Sequence, residues 1–435
     1  MDMREMVERD IDRRMLLRLG AIAGLGAAFM PRLALAAEQP DLMPNLRAMV
    51  EAWTGPGKLP GVIVSLGLPG QEPEYIARGT EGFTDPDPVT PDSLYRLYSM
   101  TKPITGMAAM QLIAEGRMSL DQPVYDVLPK YRTMQVQAVP DGSVTDLRPA
   151  ATPITMRHLL THTAGLGYTI VQQGPIKDML IEKGLVGGAL SRKEIPGLPT
   201  GTPPPNLEAF ADRLAEVPLV YDPGAKWSYS LALDLMGRVI EVVSGMPFDR
   251  YVEQTILAPC GMASTSFQVP EASAKRLTTD YFVVSGVFLP VDPGTDSVFL
   301  DKPPVPLGGS GLVGSPRDYD RFLRMLAQGG MLDGKRVLAE SAVSMGTGNL
   351  LPSGVDRSGM FGTPSDFGAG GRVGSGEEAG LFGWAGAAST IGMVDMKHAL
   401  RMQYFAQFMP YTALEVESDY RKAVRADITA LLKRT

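Results

Sequence analysis

The sequence predicts a mixed α/β fold in which helices cover a sheet, and three observations carry that expectation. A helix-forming stretch, Asp41 to Thr54, is followed by two strand-like runs, Gly61-Val62-Ile63-Val64-Ser65-Leu66 and Glu74-Tyr75-Ile76-Ala77-Arg78-Gly79, which suit a hairpin. Ile104 to Ala114 is apolar with no polar face, the pattern of a helix buried on every side. The last helix, Glu415 to Lys433, is amphipathic and is expected to pack on the sheet beside the first one. A helix, two strands and a buried helix in that order suit a layered structure.

Composition narrows the function classes. With 435 residues, 44% hydrophobic and 20% charged, the chain can bury a large core and is neither disordered nor fibrous. A net charge of −7 with scattered basic residues argues against a nucleic-acid surface. Cys260 is the single cysteine, which excludes an intrachain disulfide, and beside a turn it reads as a small buried residue.

Residues 1–36 read as an export address. A charged opening reaches Arg13-Arg14, an apolar run spans Leu19 to Met30, and Ala34-Leu35-Ala36 offers a small-residue cleavage site. Paired arginines before a modest apolar stretch look like a twin-arginine signal, so a periplasmic or secreted location is expected. The run is too short for a resident bilayer helix and is interrupted by Pro31, so no stable membrane anchor is expected. Residues 37–435 are then expected to form a single domain.

Leu94 to Pro103 reads as an extended segment that turns at Ser99 into the apolar helix, with Pro103 suited to a first helical turn. Lys102, three residues after Ser99, is placed on the same helix face with its amine over the serine hydroxyl. The helix dipole favours an alkoxide there. A serine hydroxyl is a weak nucleophile that needs such an adjacent base, and this is the only S-x-x-K in the chain.

Further on, Ile154 to Leu166 reads as a short helix capped by Thr155 and ended by Gly165. His158 and His162 lie four apart on it, but the third histidine is the distant His398 and no carboxylate cluster accompanies them, so they read as structural and no metal is expected. Two proline-rich loops, Gly197 to Pro205 and Leu300 to Leu307, are expected to rim a pocket. The run Pro223-Gly224-Ala225-Lys226-Trp227-Ser228 turns and delivers Tyr229 just before a helix from about Leu231 to Ser244, closed by Gly245. Gly308 to Gly314 leads into a helix with Ser315 as N-cap and Pro316 at its first position, ending at Gly329-Gly330. That glycine run lacks the G-K-[ST] ending of a phosphate loop, so no nucleotide is expected. Gly380 to Met393 reads as a strand whose small residues admit a substrate backbone.

Three of these stretches carry a resemblance. Ser99-Met100-Thr101-Lys102 with its apolar helix resembles the active-serine motif of the serine β-lactamase and penicillin-binding-protein superfamily. Tyr229 matches the tyrosine that contacts serine and lysine in that family, and Trp384-Ala385-Gly386 aligns with its Lys-Thr-Gly triplet in a form similar to the Trp-Gly-Gly of family VIII carboxylesterases. Two positions depart from the β-lactamase pattern. Leu231 stands where Tyr-x-Asn has its asparagine, and Trp384 replaces the lysine that faces the carboxylate of a penicillin or cell-wall peptide.

The resemblance implies a β-lactamase/transpeptidase-like α/β (α+β) fold: an antiparallel sheet built from both ends of the chain, flanked by helices, with a helical subdomain inserted from about 110 to 310. It also implies a serine carboxylesterase that hydrolyses small esters through an acyl-enzyme on Ser99, with Lys102 as neutral-lysine partner and Tyr229 as the shuttling acid/base. The backbone N–H groups of Ser99 and Ala387 form the implied oxyanion hole, and Trp384, Ala385, Gly386 and Leu231 line the substrate. No cofactor is called for. The enzymatic alternative is amide chemistry on the same triad, as a β-lactamase or D-amino-acid peptidase, and the non-enzymatic one is an exported binding protein. No G-x-S-x-G elbow occurs, so the α/β-hydrolase route to esterase activity is not supported.

Overall fold

An eight-stranded antiparallel sheet combines strands from residues 61–88 with strands from residues 366–405 in this computed structural model, which describes residues 41–188, 190–193, 195, 201–362 and 364–433. The export address, Arg13-Arg14 included, lies outside the described residues, as does the 196–200 part of the first proline-rich loop. Helix α1 (Pro44–Trp53) leads into β1 (Gly61–Gly67), β2 (Glu74–Gly82) and β3 (Asp85–Pro88). A 3₁₀ turn, Tyr98–Met100, then opens α2 (Thr101–Ala114). Along the rest of the chain come α3 (Met156–Leu160), α4 (Ala232–Ser244), α5 (Pro316–Ala327) and the strands β4 (Asp366–Phe367), β5 (Arg372–Val373), β6 (Leu381–Gly386), β7 (Thr390–Asp395) and β8 (Leu400–Phe405), before α6 (Val416–Leu432) closes it. The sheet order is β4-β5-β6-β7-β8-β1-β2-β3.

The hairpin expected from 61–79 forms with Val64 opposite Ile76, and β1 also pairs with β8, Ile63 opposite Phe405. Strand β1 is therefore central and buried along its whole length, which explains its near-continuous apolar run. Its side chains alternate between two cores: Val62, Val64 and Leu66 pack with α1 and α6, while Ile63 joins the core around α2. Asp427 of α6 ties the ends further by accepting from the Asn45 and Leu46 N–H groups at 3.1 and 2.9 Å, which caps α1 in place of a local side chain.

The segment between α2 and α5 carries helices and is not helical throughout. It holds the strand pair Gln135–Gln137 with Leu147–Pro149 and a hairpin, Asp280–Val284 with Val287–Asp292, that docks on Phe408–Met409. Helix α3 ends at Leu160 and not at Gly165, because His162 takes φ 55° and peels the chain away from the helix axis. The stretch 380–393 is two strands, β6 and β7, folded back at residues 387–389 with Gly386 opposite Thr390. Among the described residues no helix is long and apolar enough to cross a membrane.

The segment leading to Ser99 is anchored by a buried ion pair. The Arg96 guanidinium, fully buried, meets Asp292 at 2.6 Å and donates to the Asp292 and Thr278 carbonyls and to Ser297 Oγ. Removing one partner of such a pair strands the other charge, so Arg96→Ala is expected to destabilise the fold by ~3 kcal/mol, read from urea unfolding. A change within about 0.5 kcal/mol would show that Ser297 and the Val298 N–H, which also reach Asp292, carry the carboxylate alone.

Candidate active site

The turn that presents Ser99 is held against its helical preference. Tyr98 has φ 41°, a left-handed conformation that costs a non-glycine residue about 1 kcal/mol or more. Its phenol donates to the buried Asp280 carboxylate at 3.0 Å, and burial pushes that carboxyl up to about 7. Met100, on the other side of Ser99, is fixed by Tyr319 of α5, which donates to its carbonyl at 3.1 Å. Gly392 lets that tyrosine lie on β7, since a Cβ there would come 2.3 Å from its ring. The Leu312 N–H adds a bond to Thr101 Oγ1 at 3.1 Å. Sheet, α5 and the glycine-rich loop thus all brace one turn.

Lys102 is fully buried on the first turn of α2, and its Nζ donates to Ser99 Oγ at 3.1 Å and to the Gly309 carbonyl at 2.6 Å. Tyr229 arrives from the loop before α4 with its phenol oxygen 2.6 Å from Ser99 Oγ. The Lys102 ammonium lies 4.6 Å from the centre of the tyrosine ring. Ser99 itself is half-buried and reachable. The three residues singled out from the sequence therefore converge on one serine oxygen.

An aromatic shell fixes Tyr229. Trp227 stacks on it at 6.1 Å and 23°, His162 packs at 4.7 Å, and Tyr168 at 5.7 Å. The Trp384 indole N–H donates to the Tyr229 phenol oxygen at 3.3 Å. His162 Nδ1 accepts from the Ser230 N–H at 3.2 Å, and burial beside the charge of Lys102 holds its pKa well below the ordinary histidine range, so the ring is neutral. His158 instead completes the cap of α3, with Thr155 N–H donating to its Nδ1 at 3.2 Å. His398 pairs with Asp395 at 2.6 Å. The three histidines serve three separate places, and among the described residues no group of three or more His, Cys, Asp or Glu is placed to hold a metal ion.

Strand β6 brings the remaining positions. Gly386 runs against the backbone two residues before Ser99: a Cβ there would sit 2.4 Å from the Leu97 carbonyl. Ala387 follows as the one exposed residue of a turn whose Ala388 and Ser389 are buried, and Trp384 and Ala385 are half-buried along the strand. Leu231 differs from its expected role. It is fully buried in the core, with its N–H donating to the Gly167 carbonyl at 3.3 Å, and so offers a substrate no surface. A cavity of about 290 Å³ flanks the turn on the Tyr98 side, lined by Phe267, Phe299 and Ser310 and rimmed by both proline-rich loops through Pro203, Pro204 and 303–305.

Two residues of the site were not singled out from the sequence, Asp234 and Gly309. Asp234 lies in the first turn of α4, buried, and its Oδ1 accepts from the Gly309 N–H at 2.8 Å. The signal was a carboxylate set among Leu233, Leu235 and Met236, masked because an acid in the first turn of a helix is ordinary dipole complementarity.

Comparison with known proteins adds a family and a fold. A family model described as Beta-lactamase matches residues 46–427. Protein Rv1367c of Mycobacterium tuberculosis is 30% identical over 353 residues, covering 76% of this chain and 82% of its own. Esterase EstB of Burkholderia gladioli is 32% identical over 272 residues, 58% of this chain and 62% of its own. Among solved structures, EstCE1, described as a hydrolase with promiscuous acyltransferase activity, superposes with a TM-score of 0.70 at 24% identity over 87% of this chain and 97% of its own, a likeness of fold.

Proposed function

The chain belongs to the Beta-lactamase family and has the β-lactamase/transpeptidase fold, and on that premise we propose that it is a serine hydrolase acting on small esters through an acyl-enzyme on Ser99. The observation that carries this reading is the convergence of Lys102 and Tyr229 on one serine oxygen. In the proposed first half-reaction Tyr229 reacts as its phenolate opposite the Lys102 ammonium: Ser99 Oγ attacks the ester carbonyl while its proton passes to the phenolate oxygen, and as the C–O bond to the alcohol breaks the same proton leaves with the alkoxide and the phenolate is restored. Water repeats the sequence to release the acid. The N–H groups of Ser99 and Ala387 receive the oxyanion; among the described residues neither donates to a backbone acceptor.

Ester rather than lactam chemistry is supported by Trp384. An ammonium at that place would attract a substrate carboxylate, whereas the indole offers apolar area and an N–H turned to Tyr229. An alkoxide also leaves more readily than an amine. The name of the EstB relative agrees with this choice. We expect kcat/KM for short-chain p-nitrophenyl esters to exceed that for nitrocefin or benzylpenicillin by ~10² or more, a gap of ~2.7 kcal/mol in transition-state stabilisation. Equal hydrolysis of a cephalosporin would replace the esterase reading with the lactamase one.

Acyl transfer is the second reading, favoured by the description of EstCE1. The same acyl-enzyme can be resolved by an alcohol in place of water. Adding an alcohol acceptor to the ester assay and measuring the new ester against the free acid separates the two.

A further inference from the structure

We infer that Asp234 is a positioning residue, which holds the Lys102 amine over Ser99 through the backbone of Gly309 and supplies the negative charge that faces it. This rests on the acyl-enzyme reading above and names a residue that the reading does not require. Both backbone groups of Gly309 are engaged: its N–H donates to Asp234 Oδ1 at 2.8 Å, and its carbonyl accepts from Lys102 Nζ at 2.6 Å. Any side chain at 309 would break the arrangement, because a Cβ there would sit 2.6 Å from Asp234 Oδ2. The loop is pinned one residue earlier by Thr105, whose hydroxyl donates to the Gly308 carbonyl at 2.7 Å. Carboxylate, loop and amine thus form one rigid chain of contacts from α4 to α2.

Charge gives the arrangement its purpose. Asp234 is 2% exposed, and among the described residues no cation meets it at ion-pair distance, a costly state for an ionised carboxylate. Burial pushes its carboxyl up to about 6, and the opposing charge is that of Lys102. The groups that face this pair are Tyr168 and, beyond Lys102, His162 and Tyr229. Burial raises Tyr168 well above the ordinary phenol range, and His162 is neutral as described, so neither changes charge near pH 6. A raised folded-state value means that the stability linked to Asp234 is complete below about 4 and falls as pH rises through about 6. At neutral pH the ionised carboxylate is a cost to the fold, and the hold on Lys102 is what it contributes.

The test is Asp234→Asn, which keeps an acceptor for the Gly309 N–H and removes the charge. We expect kcat on a p-nitrophenyl ester at pH 8 to fall by about 10-fold or more with KM within about 3-fold, a smaller loss than removal of a group that transfers the proton itself. Wild-type kcat should fall as pH drops through about 6, and that limb should vanish in the variant. The variant should unfold at the same or higher temperature than wild type at pH 8. Wild-type kcat, or a low kcat with the acid limb unchanged, overturns the inference. Should the variant not fold, Gly309→Ala is read in its place, since it displaces the carboxylate with its charge kept; wild-type kcat there also overturns it. Labelling of wild-type Ser99 by a fluorophosphonate keeps the two levels apart: an unlabelled wild type sinks the acyl-enzyme reading, and a labelled one with an unaffected Asp234→Asn sinks only this inference.

Discussion

Ser99→Ala is expected to lower kcat/KM for a p-nitrophenyl ester by ~10⁴ or more, because a nucleophile and its proton-transfer partners act as one unit and loss of the attacking atom removes the pathway. The fold should survive the change. Only a half-buried hydroxyl is lost, and its two neighbours keep other partners: Lys102 retains the Gly309 carbonyl and Tyr229 retains the Trp384 indole N–H. Thermal unfolding within about 1 kcal/mol of wild type is the matching expectation. A variant that keeps wild-type turnover would remove Ser99 from the chemistry.

The second large effect concerns the proton. Tyr229→Phe and Lys102→Ala should each lower kcat by at least ~10², the usual contribution of a positioned acid or base. The two differ in what else they disturb. Phenylalanine keeps the ring that Trp227, His162 and Tyr168 enclose, so Tyr229→Phe is expected to be close to wild type in stability. Lys102→Ala leaves a buried carbonyl at Gly309 unpaired and removes the charge opposite Asp234, so it should cost stability as well as rate. The double variant should be little slower than the worse single one. Strict multiplication of the two losses, measured by steady-state kinetics, would mean that the groups act independently and that the shared proton path is wrong.

The parts legible in the sequence were those fixed by local chemistry. Val62-Ile63-Val64 and the apolar run after Ser99 gave their elements by pattern, and the i, i+3 spacing of Ser99 and Lys102 placed amine over hydroxyl because a helix turn dictates it. Tyr229 and Trp384 were found by motif, and their contact with each other at 3.3 Å is a matter of tertiary packing that no local pattern carries. The turn at 387–389 was missed because Gly386-Ala387-Ala388-Ser389 suits a strand packed against backbone as well as it suits a turn. Leu231 was misplaced because a motif position fixes where a residue lies along the chain and not which way its side chain faces; here it faces the core. Asp234 and Gly309, 75 residues apart, meet only through the packing of the glycine-rich loop on α4.

The most direct measurement is the mass of the intact protein after brief incubation with a fluorophosphonate, followed by peptide mapping. One added group on the peptide that contains Ser99, formed together with loss of esterase activity and absent from Ser99→Ala, is the expected result. Continued ester hydrolysis with Ser99 unmodified, or a label carried by another residue, would contradict the acyl-enzyme account.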